Sequence, residues 1–199
     1  MRGTTSVEAA DAEGWVVSIT PSGGWLPACI AGNTGVGMSQ RLQSFVLDSL
    51  INPFNVVMPG KRPRVTLTPS LALKDGEPFL SFAVQGGDTQ DQNLLQFFLN
   101  MVEFGMTAQE ASEAANINSN QLWLSLGGTK LDDRKPRSGS LLLDKGTSKE
   151  VIEQLQTMGY SIQLGERTSG PINAIYFDRK HGTFWGGSSN NGEDYGIGW

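Results

Sequence analysis

Two threonines, Thr4 and Thr5, follow a glycine near the start of the chain and open a strand-like stretch, TTSVEAA. A threonine hydroxyl is hardly ionised at neutral pH, so it needs a base before it can attack a carbonyl. His181 is the single histidine among 199 residues, and its setting, DRKHG, reads as an exposed hairpin turn. A Ser-His-Asp arrangement would have to be built on that turn. One local base remains, the α-amino group of Thr4 itself, once the Gly3–Thr4 bond is cut. Such an amine titrates near about 7.7–8.0, which leaves a substantial neutral fraction at pH 7–8. The glycine before Thr4 leaves room for the hydroxyl to attack its own preceding carbonyl. The plainer alternative is that paired threonines at a strand start serve only β-propensity.

An acyl-transfer site also needs donors aimed at the developing oxyanion. The stretch QGGD offers Gly86 and Gly87 between a strand-like and a helix-like segment. Backbone N–H groups without side chains approach a substrate closely there, and a helix start adds partial positive charge. The alternative for this pair is a tight strand-to-helix connection.

The remaining composition narrows the chemistry. With 38% hydrophobic and 18% charged residues the chain is globular, and at 199 residues it can hold one full core. A net charge of −5 and the lack of a long Lys/Arg cluster argue against nucleic acid as a partner. Cys29 is the single cysteine, which excludes an internal disulfide and reads as a small buried apolar residue. One histidine and one cysteine give little basis for a zinc site. No apolar run reaches the ~20 residues of a membrane span, and the start lacks a signal-peptide core. The expectation is a soluble protein with no targeting signal in this chain and an unassigned compartment.

Elements that must position these groups follow from pattern. Residues 5–10 and 15–20 flank DAEG and predict a hairpin. Residues 25–60 read as loop-rich, with a short helix at about 40–50. Residues 65–73 and 78–84 flank KDGE and predict a second hairpin. In TQDQNLLQFFLNMVEFG the apolar residues recur at helical spacing up to Gly105. Thr107 and Glu110 have capping-box spacing, and so have Thr147 and Glu150, so two more helices are expected. Residues 116–146 read as irregular. A strand near 161–164 and a third hairpin around DRKHG complete an α+β layered sandwich in one domain.

These segments, in this order, resemble the small catalytic subunit of the γ-glutamyltransferase (γ-glutamyltranspeptidase) family of N-terminal nucleophile hydrolases. The matching stretches are TTSVEAADAEGWVVSIT, GKRPRVTLTPSLALKDGEP, GGDTQDQNLLQFFLNMVEFGMTAQEA and GPINAIYFDRKHGTFWGGSS. The resemblance implies an αββα sandwich, of which this chain is the small-subunit half, with no cofactor. It implies that residues 1–3 are a leader before the cleavage site and residues 4–199 the catalytic domain. It places the nucleophile at Thr4, the second threonine of the pair at Thr5, the hydroxyl that bonds the nucleophile at Ser22, and the oxyanion glycines at Gly86 and Gly87.

The departures concern substrate recognition. The family's Asp before a matched Phe, here Phe45, is replaced by Ser44, which removes the counter-charge for an α-ammonium. Arg41 stands where a neutral or acidic polar residue is usual and, if exposed, adds attraction for a carboxylate. The carboxylate-binding Ser-Ser pair reads Val65-Thr66, Ser6 occupies the third place of the TTH motif, and Gly24 replaces an Asn. A site that leaves a substrate charge unpaired rejects it by several kcal/mol. The expected activity is thus amide hydrolysis or acyl transfer with a pocket diverged from γ-glutamyl recognition, a dicarboxylic acyl amide being one candidate. The expected partners are a large subunit, either separately encoded or upstream of this chain, and a small-molecule amide or γ-glutamyl-like substrate, with no nucleic acid or membrane. Two alternatives stay open: a true γ-glutamyltranspeptidase or glutathione hydrolase, and a non-catalytic remnant or fragment.

Overall fold

A computed structural model describes residues 4–23, 29–124, 135–190 and 194–198, and three sheets and three α-helices organise these described residues. The first hairpin forms as expected. Strands β1 (Val7–Ala10) and β2 (Val16–Ile19) pair antiparallel, Glu8 opposite Ser18. The turn is held by Asp11, whose Oδ1 accepts from the N–H groups of Glu13 and Trp15 at 3.0 Å.

Strands β3 (Ser70–Lys74) and β4 (Glu77–Val84) form the second hairpin. The first of them starts later than the apolar run, because residues 61–69 join no strand and Arg64, Thr66 and Thr68 bond toward the site instead. Helices α1 (Gln90–Val102) and α2 (Ala108–Glu113) follow. The capping box at Thr107 is present: its side chain accepts from the Glu110 N–H, and the Glu110 carboxylate accepts from the Thr107 N–H.

Residues 116–146, expected from their polarity to be irregular, are only partly so. They contain β5 (Ile117–Ser119) and β6 (Ser140–Asp144), which pair antiparallel. The 3-residue strand is too short for a periodic signal. It is tethered instead by the side-chain amides of Gln92 and Gln96 on α1, which bond the backbone of Ser119 and Ile117. Helix α3 (Lys149–Thr157) starts one residue later than the Thr147 box implies, with Ser148 as the cap accepting from Val151 N–H. Strand β7 (Ser161–Gly165) then adds parallel to β6. The third hairpin is β8 (Ile172–Asp178) and β9 (Thr183–Ser188). His181 lies in its exposed turn against the Asp178 carboxylate, 2.7 Å away.

The order β3-β4-β8-β9 makes the central sheet, and each of its faces has a different chemistry. On one face Leu80, Phe82, Val84, Ile172 and Ala174 pack with Leu94, Phe97, Ala108 and Ala111 of the helices. Phe82 lies against both Phe97 and Phe98 of α1, ring centroids 5.7 and 5.8 Å apart. The other face meets the β1–β2 hairpin, and a set of side-chain hydrogen bonds crosses between them. Ser6 Oγ accepts from Asn173 Nδ2 at 2.9 Å, and Asn173 Oδ1 accepts from Ser188 Oγ at 2.9 Å. The Glu8 carboxylate accepts from Ser18 Oγ at 2.9 Å and also from Ser81 Oγ. Ser18 Oγ in turn accepts from the Ser70 N–H at 3.2 Å. A helix layer, a sheet and a second strand layer give the expected α+β class.

Candidate active site

The hairpin that carries Thr4 is anchored to the centre of the molecule by the polar layer just described. Thr4 forms an antiparallel bridge with Ser22, and their hydroxyl oxygens are hydrogen-bonded at 2.9 Å. The Thr5 N–H donates to the Pro21 carbonyl at 3.1 Å, which fixes the strand start against the chain leaving β2. The Thr5 side chain is exposed, whereas Ser6 is buried. Residues 1–3, the expected leader, and Gly24 lie outside the described residues.

Arg41 reaches the same point from a short 3-10 turn, Arg41–Ser44, which replaces the longer helix expected near 40–50. Far from exposed, Arg41 retains 7% of its surface. Its Nη2 donates to Ser22 Oγ at 3.0 Å and its Nη1 to Thr66 Oγ1 at 3.5 Å. No described carboxylate lies within ion-pair distance of it. Burial lowers the Arg41 pKa, and the negative charge of Asp88 opposes that shift. A guanidinium stays charged through such a change, so the site holds a buried cation solvated by hydroxyls. Ser44 is also buried, and its hydroxyl donates to the Arg64 carbonyl at 2.9 Å. Asn55 Nδ2 bonds the Ser44 carbonyl at 2.6 Å. Ser44 thereby fixes the segment that presents Thr66.

The same segment runs past the glycine turn. Arg64 Nη1 pairs with Asp88 Oδ1 at 3.0 Å, the Asp88 side chain being 5% exposed, and Thr68 Oγ1 donates to Gln90 Oε1 at 3.0 Å. Gly87–Thr89 is a 3-10 turn leading directly into α1. Gly86 has φ 153° and ψ 6°, a conformation that disfavours a side chain. A Cβ on Gly86 would lie 3.1 Å from Thr89 Oγ1, the hydroxyl that donates to the Gly86 carbonyl at 3.2 Å. Behind the turn, a Cβ on Gly170 would fall 1.9 Å from the Gln85 carbonyl oxygen. That close approach brings the Pro171 carbonyl to the Gln85 N–H at 3.0 Å and closes the end of β4.

Four expected residues, Thr4, Ser22, Arg41 and Thr66, thus form one hydrogen-bonded chain. Gly86 and Gly87 form the turn whose next residue, Asp88, is coupled to Arg41 by charge. Sequence reading missed Arg64, Asp88, Thr68 and Gln90; only the adjacency of Asp88 and Gln90 to the glycine pair marked that stretch. It also placed Cys29 inside, whereas Cys29 is exposed. Among the described residues no cluster of three or more His, Cys, Asp or Glu side chains could hold a metal ion, and no helix is long and apolar enough to cross a membrane.

Comparison with known proteins bears on the family and the fold. The family described as Gamma-glutamyltranspeptidase matches residues 1–199. The chain is 30% identical over 198 residues to the glutathione hydrolase proenzyme of Bacillus subtilis (strain 168), covering 98% of this chain and 31% of that protein. It is 28% identical over 176 residues to the Acylase ACY 1 proenzyme of Pseudomonas sp. (strain V22), covering 88% of this chain and 28% of the other. The chain therefore spans about a third of the length of these relatives. Its fold matches that of a solved gamma-glutamyltranspeptidase chain from Pseudomonas nitroreducens complexed with L-DON, with TM-score 0.76, 21% identity, and coverage of 98% of this chain and 100% of that one. A family match along the whole chain, relatives that are hydrolases and acylases, and a fold shared with a solved gamma-glutamyltranspeptidase chain lead to one conclusion: this chain belongs to the gamma-glutamyltranspeptidase family.

Proposed function

We propose that this chain is the catalytic small-subunit part of an N-terminal-threonine amide hydrolase or acyltransferase, and that its acyl pocket favours an anionic group over a γ-glutamyl α-ammonium. The observation that carries the reading is the chain Thr4–Ser22–Arg41–Thr66, which joins a nucleophile candidate to a buried cation lacking an ion-pair partner among the described residues. After cleavage of the Gly3–Thr4 bond, the freed Thr4 amine takes the proton of the Thr4 hydroxyl. The oxygen attacks the amide carbonyl while the N–H groups of Gly86 and Gly87 stabilise the oxyanion. The amine leaves with that proton, and water or a second amine resolves the acyl-enzyme.

Arg41 has donors beyond the two it uses, and a substrate carboxylate would supply the counter-charge that Ser22 and Thr66 cannot. The Asp-to-Ser change at Ser44 supports the same direction, since its hydroxyl serves the Arg64 carbonyl. The relatives are proenzymes about three times longer than this chain, which supports a large-subunit partner completing the αββα sandwich. A γ-glutamyl activity is the second reading, favoured by the relatives named glutathione hydrolase. The test uses the protein assembled with its large subunit. Intact mass should show a small subunit starting at Thr4, and a glutaryl anilide should be turned over faster than a γ-glutamyl anilide. Thr4→Ala should abolish both cleavage and turnover. A leader still attached in the assembled protein, or preference for the γ-glutamyl anilide, overturns the corresponding part.

A further inference from the structure

Arg41 contacts more than a substrate pocket requires. A residue serving only to hold a substrate anion has no need to bond the hydroxyl that touches the nucleophile, yet its Nη2 lies 3.0 Å from Ser22 Oγ, which lies 2.9 Å from Thr4 Oγ1. We infer that Arg41 is a positioning residue for the nucleophile, acting through Ser22 to set the orientation and polarity of the Thr4 hydroxyl; this rests on Thr4 being the nucleophile.

The direction follows from donor inventory. A guanidinium only donates, so Ser22 Oγ is the acceptor of that bond. A hydroxyl that accepts from a cation becomes a stronger donor, and bonds in such a chain polarise one another. As Thr4 Oγ1 loses its proton it becomes an acceptor, and Ser22 O–H is placed to donate to it. The cation is held for this task independently of any ligand. Thr66 Oγ1 accepts from Nη1, Ser44 and Asn55 fix the surrounding turn, and the Asp88 charge lies close enough to favour the guanidinium.

This role separates from substrate binding because cleavage of the leader requires the Thr4 oxygen and no acyl substrate. In that step Thr4 Oγ adds to the Gly3 carbonyl carbon and the Gly3–Thr4 C–N bond breaks, the nitrogen taking up the proton. Water then hydrolyses the Gly3 ester to a carboxylate, the restored Thr4 hydroxyl and a free amine.

The experiment follows leader cleavage in the uncut full-length precursor of the wild type, Arg41→Gln, Arg41→Lys, Ser22→Ala and the Arg41→Gln/Ser22→Ala double variant. Circular dichroism of each precursor accompanies the rates. Arg41→Gln should slow cleavage at least tenfold with unchanged secondary structure, and Arg41→Lys should recover part of the rate. The double variant should be no slower than Ser22→Ala, because both act through one path. In matured enzyme, a neutral acyl anilide should lose kcat in Arg41→Gln with KM within twofold of wild type. Multiplying effects in the double variant, an Arg41→Gln precursor cut at the wild-type rate, or slowing only where the fold is lost would overturn the positioning role. The first two outcomes leave Thr4 as nucleophile intact, whereas a wild-type precursor that is never cut removes both.

Discussion

Glu8 is the most exacting place to test the polar layer. Its carboxyl lies between the hairpin and the central sheet, where burial raises its pKa from an ordinary 4.5 to about 7 in spite of the bonds from Ser81 and Ser18. The groups facing it, Ser18 on β2 and Ser81 on β4, are neutral. Between about 4.5 and about 7 the folded protein therefore binds a proton that the unfolded chain has released. In that window stability falls as pH rises; below it the contribution is fully present, and above it the contribution is gone. A shift of this size corresponds to roughly 3 kcal/mol or a little more, and solvent reaching the partly exposed carboxyl reduces that to about 2 kcal/mol. Glu8→Gln keeps an acceptor and a donor for the two serines but cannot ionise. Thermal unfolding of the assembled protein at pH 5 and pH 8 should give a wild-type loss, relative to Glu8→Gln, of about 2 kcal/mol. For a cooperative unit of about 150–250 residues that corresponds to roughly 4–8 °C in Tm, and to proportionally less where the assembly unfolds as one. Parallel pH profiles for the two proteins, or a wild type gaining on Glu8→Gln as pH rises, would refute the reasoning.

Two further outcomes test other layers. Gly86→Ala should lower kcat at least tenfold, measured on any accepted anilide, because the new Cβ meets Thr89 Oγ1 at 3.1 Å and the turn must rotate its N–H groups. Phe97→Ala, at 1% exposure in the helix-facing core, should cost about 3–5 kcal/mol in urea unfolding with little change in kcat of the folded fraction.

The legible parts of this molecule were those governed by local rules. Asp11, the KDGE turn, the α1 periodicity and the Thr107 box each act within a few residues, so the hairpins and two helices could be read directly. Strand β5 could not, since its place depends on Gln92 and Gln96 more than 20 residues away. The site divided in the same manner. Thr4, Gly86 and Gly87 are legible from residue chemistry, Ser22 through the resemblance, and Arg41, Ser44 and Thr66 as departures from it. The environment of Arg41 was misjudged because a charged residue in a loop-rich stretch reads as solvated, and nothing local indicates that Ser22 and Thr66 enclose it. The coupling of Arg64 to Asp88 spans 24 residues and was invisible for the same reason.

The layer joining Ser6, Glu8, Ser18, Ser70, Ser81 and Asn173 also has a mechanical consequence. Hydrocarbon surfaces tolerate sliding, because any apolar neighbour will serve. Here a slip of the first hairpin by one strand repeat would separate donors and acceptors from their mates while keeping the same side chains facing inward. Bond directionality thus acts as a key: the strand that delivers Thr4 has one seating against the central sheet, and Thr4 arrives beside Ser22 and Arg41 only when the key is home.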